Sequence, residues 1–145
     1  PPEKPPQEDQ GQSESPGQSA SPLHAQTLEQ LWLLDPEGGF FNQLVAAYLD
    51  KSPGDLDQLH EGLESQDAEA LCRAAHSFKS SSLNLGARAL AARCKELENR
   101  SRQKDLSSAQ KLIADIESEY ERARLELIKI RGATDAKEYL QQFAK

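Results

Sequence analysis

The stretch "LSSAQKLIADIESEYERARLELIKI", residues 106–130, decides how this chain folds. Leu106, Ala109, Ile113, Ile116, Tyr120, Ala123, Leu127 and Ile130 recur at alternating intervals of three and four, with charged residues between them. An α-helix turns once every 3.6 residues, so this spacing collects one apolar stripe along one side of a long helix. A stripe of that kind is stable only when other helices cover it. The rest of the chain must therefore supply helices of matching pattern.

Reading backwards, it does. From Ala87, a helix carries Leu90, Ala91, Cys94 and Leu97 inward. Before it, Leu71, Ala74, Ala75, Phe78, Ser82 and Leu85 share one side of a helix that ends near Asn84 or Gly86. "SQDAEA", residues 65–70, provides that helix with an N-terminal cap and early acids. Upstream, Phe40, Phe41, Leu44, Val45, Tyr48 and Leu49 precede Pro53, and Leu56, Leu59 and Leu63 follow it. Because proline lacks an amide proton, this is either one kinked helix or two abutting ones. A short segment, "TLEQLWLLD" at 27–35, places Leu28, Leu31, Trp32 and Leu34 on one side, and "PEGG" interrupts it. Strand signals are absent. The expected fold is all-α: an antiparallel up-and-down four-helix bundle over residues 23–131 with a short extra N-terminal helix.

Two segments stand outside that pattern. Residues 1–22 hold six of the eight prolines, with Gln and Ser between them, and read as a disordered linker unable to bury a core. Residues 132–145, "GATDAKEYLQQFAK", are a C-terminal tail, either a short helix through Tyr139, Leu140 and Phe143 or a dangling end.

Asp and Glu number 24 against 17 Lys and Arg, a formal net charge of −7. An acidic chain is a poor match for nucleic acid or anionic membrane, so neither is an expected partner. No apolar run reaches the length of a membrane span. Cys72 and Cys94 are too few for a disulfide framework and sit in helical patterns, which points to a reducing, cytoplasmic setting. The absence of methionine leads us to expect a piece of a longer protein.

The third helix carries a histidine in an unusual place. On a wheel of about 100° per residue, His76 lies about 140° from the core axis and so faces solvent. Its neighbours on that face are Cys72, Arg73, Lys79 and Ser80, at three and four residues. Cys72 and Ser80 are small and leave the ring sterically open; Lys79 and Arg73 bring positive charge. A neutral imidazole is a competent nucleophile near physiological pH, and nearby cations are expected to disfavour its protonation. A phosphoryl group accepted by the ring could pair with Lys79. A single exposed histidine more often has no function, so this arrangement alone does not decide the matter.

The stretch "AHSFKSSSLNLGA", residues 75–87, resembles the signature of histidine-containing phosphotransfer (HPt) domains: a helical histidine, a lysine three residues on, and small residues after it. "GFFNQLVAAYLDKSPGDLDQLHEGLESQDAEAL" at 39–71 and "ALAARCKELENRSRQKDL" at 89–106 resemble the flanking helices of that family, and the likeness spans residues 27–130. Ser80 stands where many members carry glycine. The resemblance implies a phosphorelay intermediate rather than an enzyme. His76 would take a phosphoryl group, at Nε2, from the aspartate of a response-regulator receiver domain, and a second receiver would remove it. It implies no cofactor of the domain's own, with Mg²⁺ held by the receiver, and Lys79 as the charge partner of the phosphate. The sequence agrees in having no Gly-rich phosphate loop. With the Pro-rich segment, the resemblance also implies the C-terminal module of a hybrid sensor histidine kinase whose parent chain sits in the inner membrane.

Cys72, Arg73, Ser80, Leu83 and Arg88 are the candidate receiver contacts. Leu83 serves either docking or helix-end packing. Asn84 either orients the ring or caps the helix, and Gly86 permits the turn into the next helix. Cys72 and His76 have a spacing that two metal ligands can use, but no third ligand is evident. His24 and His60 lack a following lysine at the right spacing and are not expected to be acceptors. A monomer is expected. The competing reading, from a different class, is a helical adaptor that binds receivers or other signalling partners without being phosphorylated.

Overall fold

The computed structural model describes residues 21–35 and 37–132; most of the N-terminal segment and the tail from residue 133 lie outside the described residues. Five helices follow in order: α1 (Ala25–Leu34), α2 (Gly39–Glu64), α3 (Ala68–Asn84), α4 (Arg88–Arg102) and α5 (Ala109–Gly132). No strand occurs among the described residues. α3 packs against both α2 and α4, α5 closes the bundle against α2 and α4, and α1 leans on α2. The direction of α3 follows from two contacts. Gly62, near the end of α2, lies against Leu71 at the start of α3, whereas Tyr48, early in α2, bonds Ser82 late in α3 at 2.8 Å.

α2 runs through Pro53 as one continuous helix, which settles the choice the sequence left open. Pro53 falls on the exposed side, next to buried Ser52, whose hydroxyl donates to the Tyr48 carbonyl. α3 begins at Asp67, whose side chain accepts the Ala70 amide at 3.0 Å. A cap of this kind contributes about 1 kcal/mol.

The core is built from the stripes read above. Phe41, Leu59, Leu71, Phe78, Leu90, Leu97, Ile113, Ile116 and Leu127 are all fully buried. Tyr48, Phe78 and Tyr120 meet at its centre with ring centroids 5.8–6.2 Å apart. Leu34 departs from expectation at 70% exposed, and Phe40 at 42%. Each lies at a helix end and about 100–120° around its helix from the buried residues Leu28 and Phe41, so rotation carries it off the stripe.

α3 stops at Gly86, where φ is +75°. The Ala87 amide reaches back to the Ser82 carbonyl and the Gly86 amide to that of Leu83, both at 3.0 Å. This pair of bonds is the Schellman termination that glycine favours. The Gly86 carbonyl accepts the His24 amide at 2.7 Å, and a Cβ on Gly86 would stand 3.1 Å from the His24 backbone. The turn thus also anchors the approach to α1. Gly86→Ala should cost about 1–2 kcal/mol from left-handed strain alone. A thermal melt followed by circular dichroism should show a fall of about 5 °C or more; an unchanged midpoint would contradict the account of this turn.

Candidate functional site

His76 projects from the middle of α3 with 60% of its side chain exposed. Burial of Ala74, Ala75 and Phe78 fixes the rotation of α3, and that rotation turns position 76 outward. Across from it, α4 presents Glu98, which is only 4% exposed. Glu98 Oε2 lies 2.8 Å from His76 Nδ1, and Oε1 accepts from Lys79 Nζ at 2.8 Å. Arg102, one turn along α4, donates from Nη2 to Oε2 at 2.8 Å. One carboxylate therefore gathers the histidine, the lysine and an arginine.

Burial by itself pushes the Glu98 carboxyl up. The hydrogen bonds and positive charge brought by Lys79 and His76 outweigh that, and the group is held below its ordinary value of 4.5. It is thus an anion at neutral pH. An ionised carboxylate can only accept hydrogen bonds, so the proton of a neutral ring must sit on Nδ1. The lone pair is then on Nε2, at the other edge of the imidazole, and Nε2 is the nucleophilic nitrogen. The charge in direct contact with the ring is an acid, and the Lys79 ammonium is turned onto that acid.

The remaining candidates spread along one face. Cys72 is half-buried and Ser80 is exposed, one turn to either side of His76. Arg73 is exposed, 3.8 Å from Glu69, and Leu83 is 46% exposed. Gly86 is buried in the turn, and Asn84 is exposed as the last residue of α3. Arg88 is not at the site. It opens α4, ten residues before Glu98, which is about 15 Å of helix.

A family model of the Hpt domain matches residues 43–126, more than half of the chain and all of the helices that build this site. The chain belongs to the Hpt domain family. It is also similar to the crystal structure of histidine-containing phosphotransfer protein B (HptB) from Pseudomonas aeruginosa PAO1, with a TM-score of 0.73 and 35% sequence identity. That likeness covers 78% of this chain and 96% of HptB. No curated protein matches.

In this Hpt domain the other two histidines each have a partner of their own. His24 Nδ1 lies 2.8 Å from Thr27 Oγ1, and burial, with the charge of Arg88, lowers its pKa. His60 Nε2 lies 2.6 Å from Glu117 on α5. Burial, reinforced by Asp55, pushes the Cys94 thiol up to about 12, which leaves it a small packing residue. Among the described residues no group of three or more potential metal ligands comes together.

Glu98 and Arg102 did not figure among the sequence candidates. A signal existed: Glu98 lies four residues after inward-facing Cys94, at an acid's least favoured place on the wheel. The depressed pKa of Glu98 has a measurable consequence. A carboxylate held below its unfolded value stabilises the fold above that value, and the contribution is lost as pH falls from about 4.5 through the folded pKa. Urea titrations of wild type and Glu98→Gln at pH 7 and near pH 3 should show the larger acid loss in wild type. Equal losses would mean that Glu98 is not held as an anion by its partners.

Proposed function

We propose that the chain is a phosphorelay intermediate of two-component signalling, with His76 as the phosphoacceptor. The supporting observation is the outward imidazole whose Nδ1–H is held by Glu98 while Nε2 stays open to a partner. The donor is the phosphorylated aspartate of a receiver domain, as family membership implies.

The Nε2 lone pair attacks phosphorus, an N–P bond forms, and the bond from phosphorus to the aspartate oxygen breaks. The aspartate leaves as a carboxylate. The ring becomes positive during attack, and the adjacent Glu98 carboxylate stabilises that charge through the Nδ1 proton. Lys79, 21% exposed, is placed to swing from Glu98 towards the phosphoryl oxygens. In the onward step the same Nδ1 proton makes the imidazole a better leaving group for a second receiver's aspartate. The chain's own part is alignment and charge placement, and Mg²⁺ is supplied by the receiver's carboxylates.

The proposal extends to setting. Cys72, Arg73, Ser80 and Leu83 ring the histidine as receiver contacts, with Arg88 further along. The domain acts as a monomer in the cytoplasm, as a module of a hybrid sensor kinase joined to it by the Pro-rich segment. No helix among the described residues is long and apolar enough to cross a membrane. The test is incubation with receiver domains charged with acetyl phosphate and Mg²⁺. Acid-labile, base-stable label that maps to His76 is expected; label elsewhere, or none with any receiver, would overturn the proposal and favour the adaptor reading.

A further inference from the structure

Charge is segregated in this molecule. Although the chain carries −7 overall, α4 holds five arginines and lysines against two glutamates, whereas α2 holds five acids against a single lysine. Three of the α4 cations, Arg88, Lys95 and Arg102, recur every seven residues. Seven residues are almost two full turns, so the three line up along one edge of the helix about 10 Å apart. All three are exposed.

That edge is the one beside His76. Glu98 touches His76 and Lys79 on α3, and Arg102 donates to the same carboxylate. Lys95 precedes Glu98 by one turn, about 60° further round towards solvent. The row therefore borders the histidine face along the length of α4. Among the described residues Lys95 has no ion-pair partner, unlike Arg102, so its charge is available to an incoming molecule.

We infer that the Arg88–Lys95–Arg102 edge of α4 is an electrostatic docking rail for the acidic rim of a receiver's phosphoaspartate site. This inference rests on the function proposed above. A site that presents an acyl phosphate and binds Mg²⁺ through carboxylates is necessarily rich in negative charge. Approaching a protein of net charge −7, such a partner meets repulsion except along a cationic border, and the rail sets both the approach and its angle. Recognition is then divided. Small residues around His76 admit the reacting groups, and α4 supplies long-range attraction.

The decisive variants are Lys95→Glu and the double change Arg88→Glu/Lys95→Glu in the full chain, with Lys129→Glu and Lys129→Glu/Arg131→Glu on α5 as the respective charge-matched controls. Two quantities are read for a receiver charged with acetyl phosphate, between about 50 and 300 mM salt: the half-saturating receiver concentration and the plateau rate of His76 labelling. The double variant should raise the half-saturating concentration about tenfold at low salt, flatten its salt dependence, and leave the plateau within about twofold. Neither control should change either quantity. Equal behaviour of the double variant and the control would overturn the rail while leaving His76 as the acceptor. If the wild type takes no label, direct binding of the beryllofluoride-activated receiver decides separately: a salt-sensitive affinity lost in the double variant upholds the rail, and an unaltered one removes it.

Discussion

His76→Gln abolishes acid-labile labelling by a charged receiver, a fall of at least about a thousandfold, because no other imidazole stands at the site. The change should leave the fold in place. Position 76 is solvent-facing, and a glutamine amide can still donate to Glu98. Receiver binding by the variant should stay close to that of wild type, since the contacts around the ring remain. Phosphate analysis of the denatured protein, together with binding titrations, separates loss of chemistry from loss of docking. Persistent label in His76→Gln would place the acceptor elsewhere and remove the basis of the proposed mechanism.

Glu98→Ala should slow labelling by about ten- to a hundredfold, through loss of ring orientation rather than loss of a reacting group. With the carboxylate gone, the imidazole can carry its proton on either nitrogen and rotate freely. Lys79 and Arg102 also lose their shared partner, so a stability loss of about 1–2 kcal/mol is expected. Glu98→Gln discriminates between roles. Its amide oxygen can still accept from Nδ1, so orientation is rescued and the rate should return to within about tenfold of wild type, while the electrostatic help to the charged ring is lost. A shift in the pH dependence of labelling should accompany that substitution. If Glu98→Ala transfers at the wild-type rate, Glu98 is a structural ion-pair member and has no positioning role.

The bundle was legible because its helices obey one rule. Each needs an apolar stripe at a spacing of three and four, and residues such as Ile113, Ile116, Leu127, Leu90 and Leu97 are buried where that rule puts them. Legibility fails at helix ends. Leu34 and Phe40 look apolar enough for a core but project past it, since a stripe's edge is set by which neighbour is present and the neighbour is not written locally. The outward setting of His76 could be read from a single helix because it depends only on rotation. Glu98 could not. Its burial depends on three cationic or hydrogen-bonding partners, two of them on another helix, and period alone cannot bring those together. The same holds for Tyr48 and Ser82, whose 2.8 Å bond joins residues 34 positions apart.

Trp32 is the sole tryptophan of the chain, and its ring meets Phe41 edge-on at 5.8 Å while covering Gly38. Intrinsic fluorescence excited at the indole band consequently reports the seating of α1 on α2 and not the state of the histidine. An emission shift that precedes the ellipticity change in a melt would register departure of α1 from a still-folded domain.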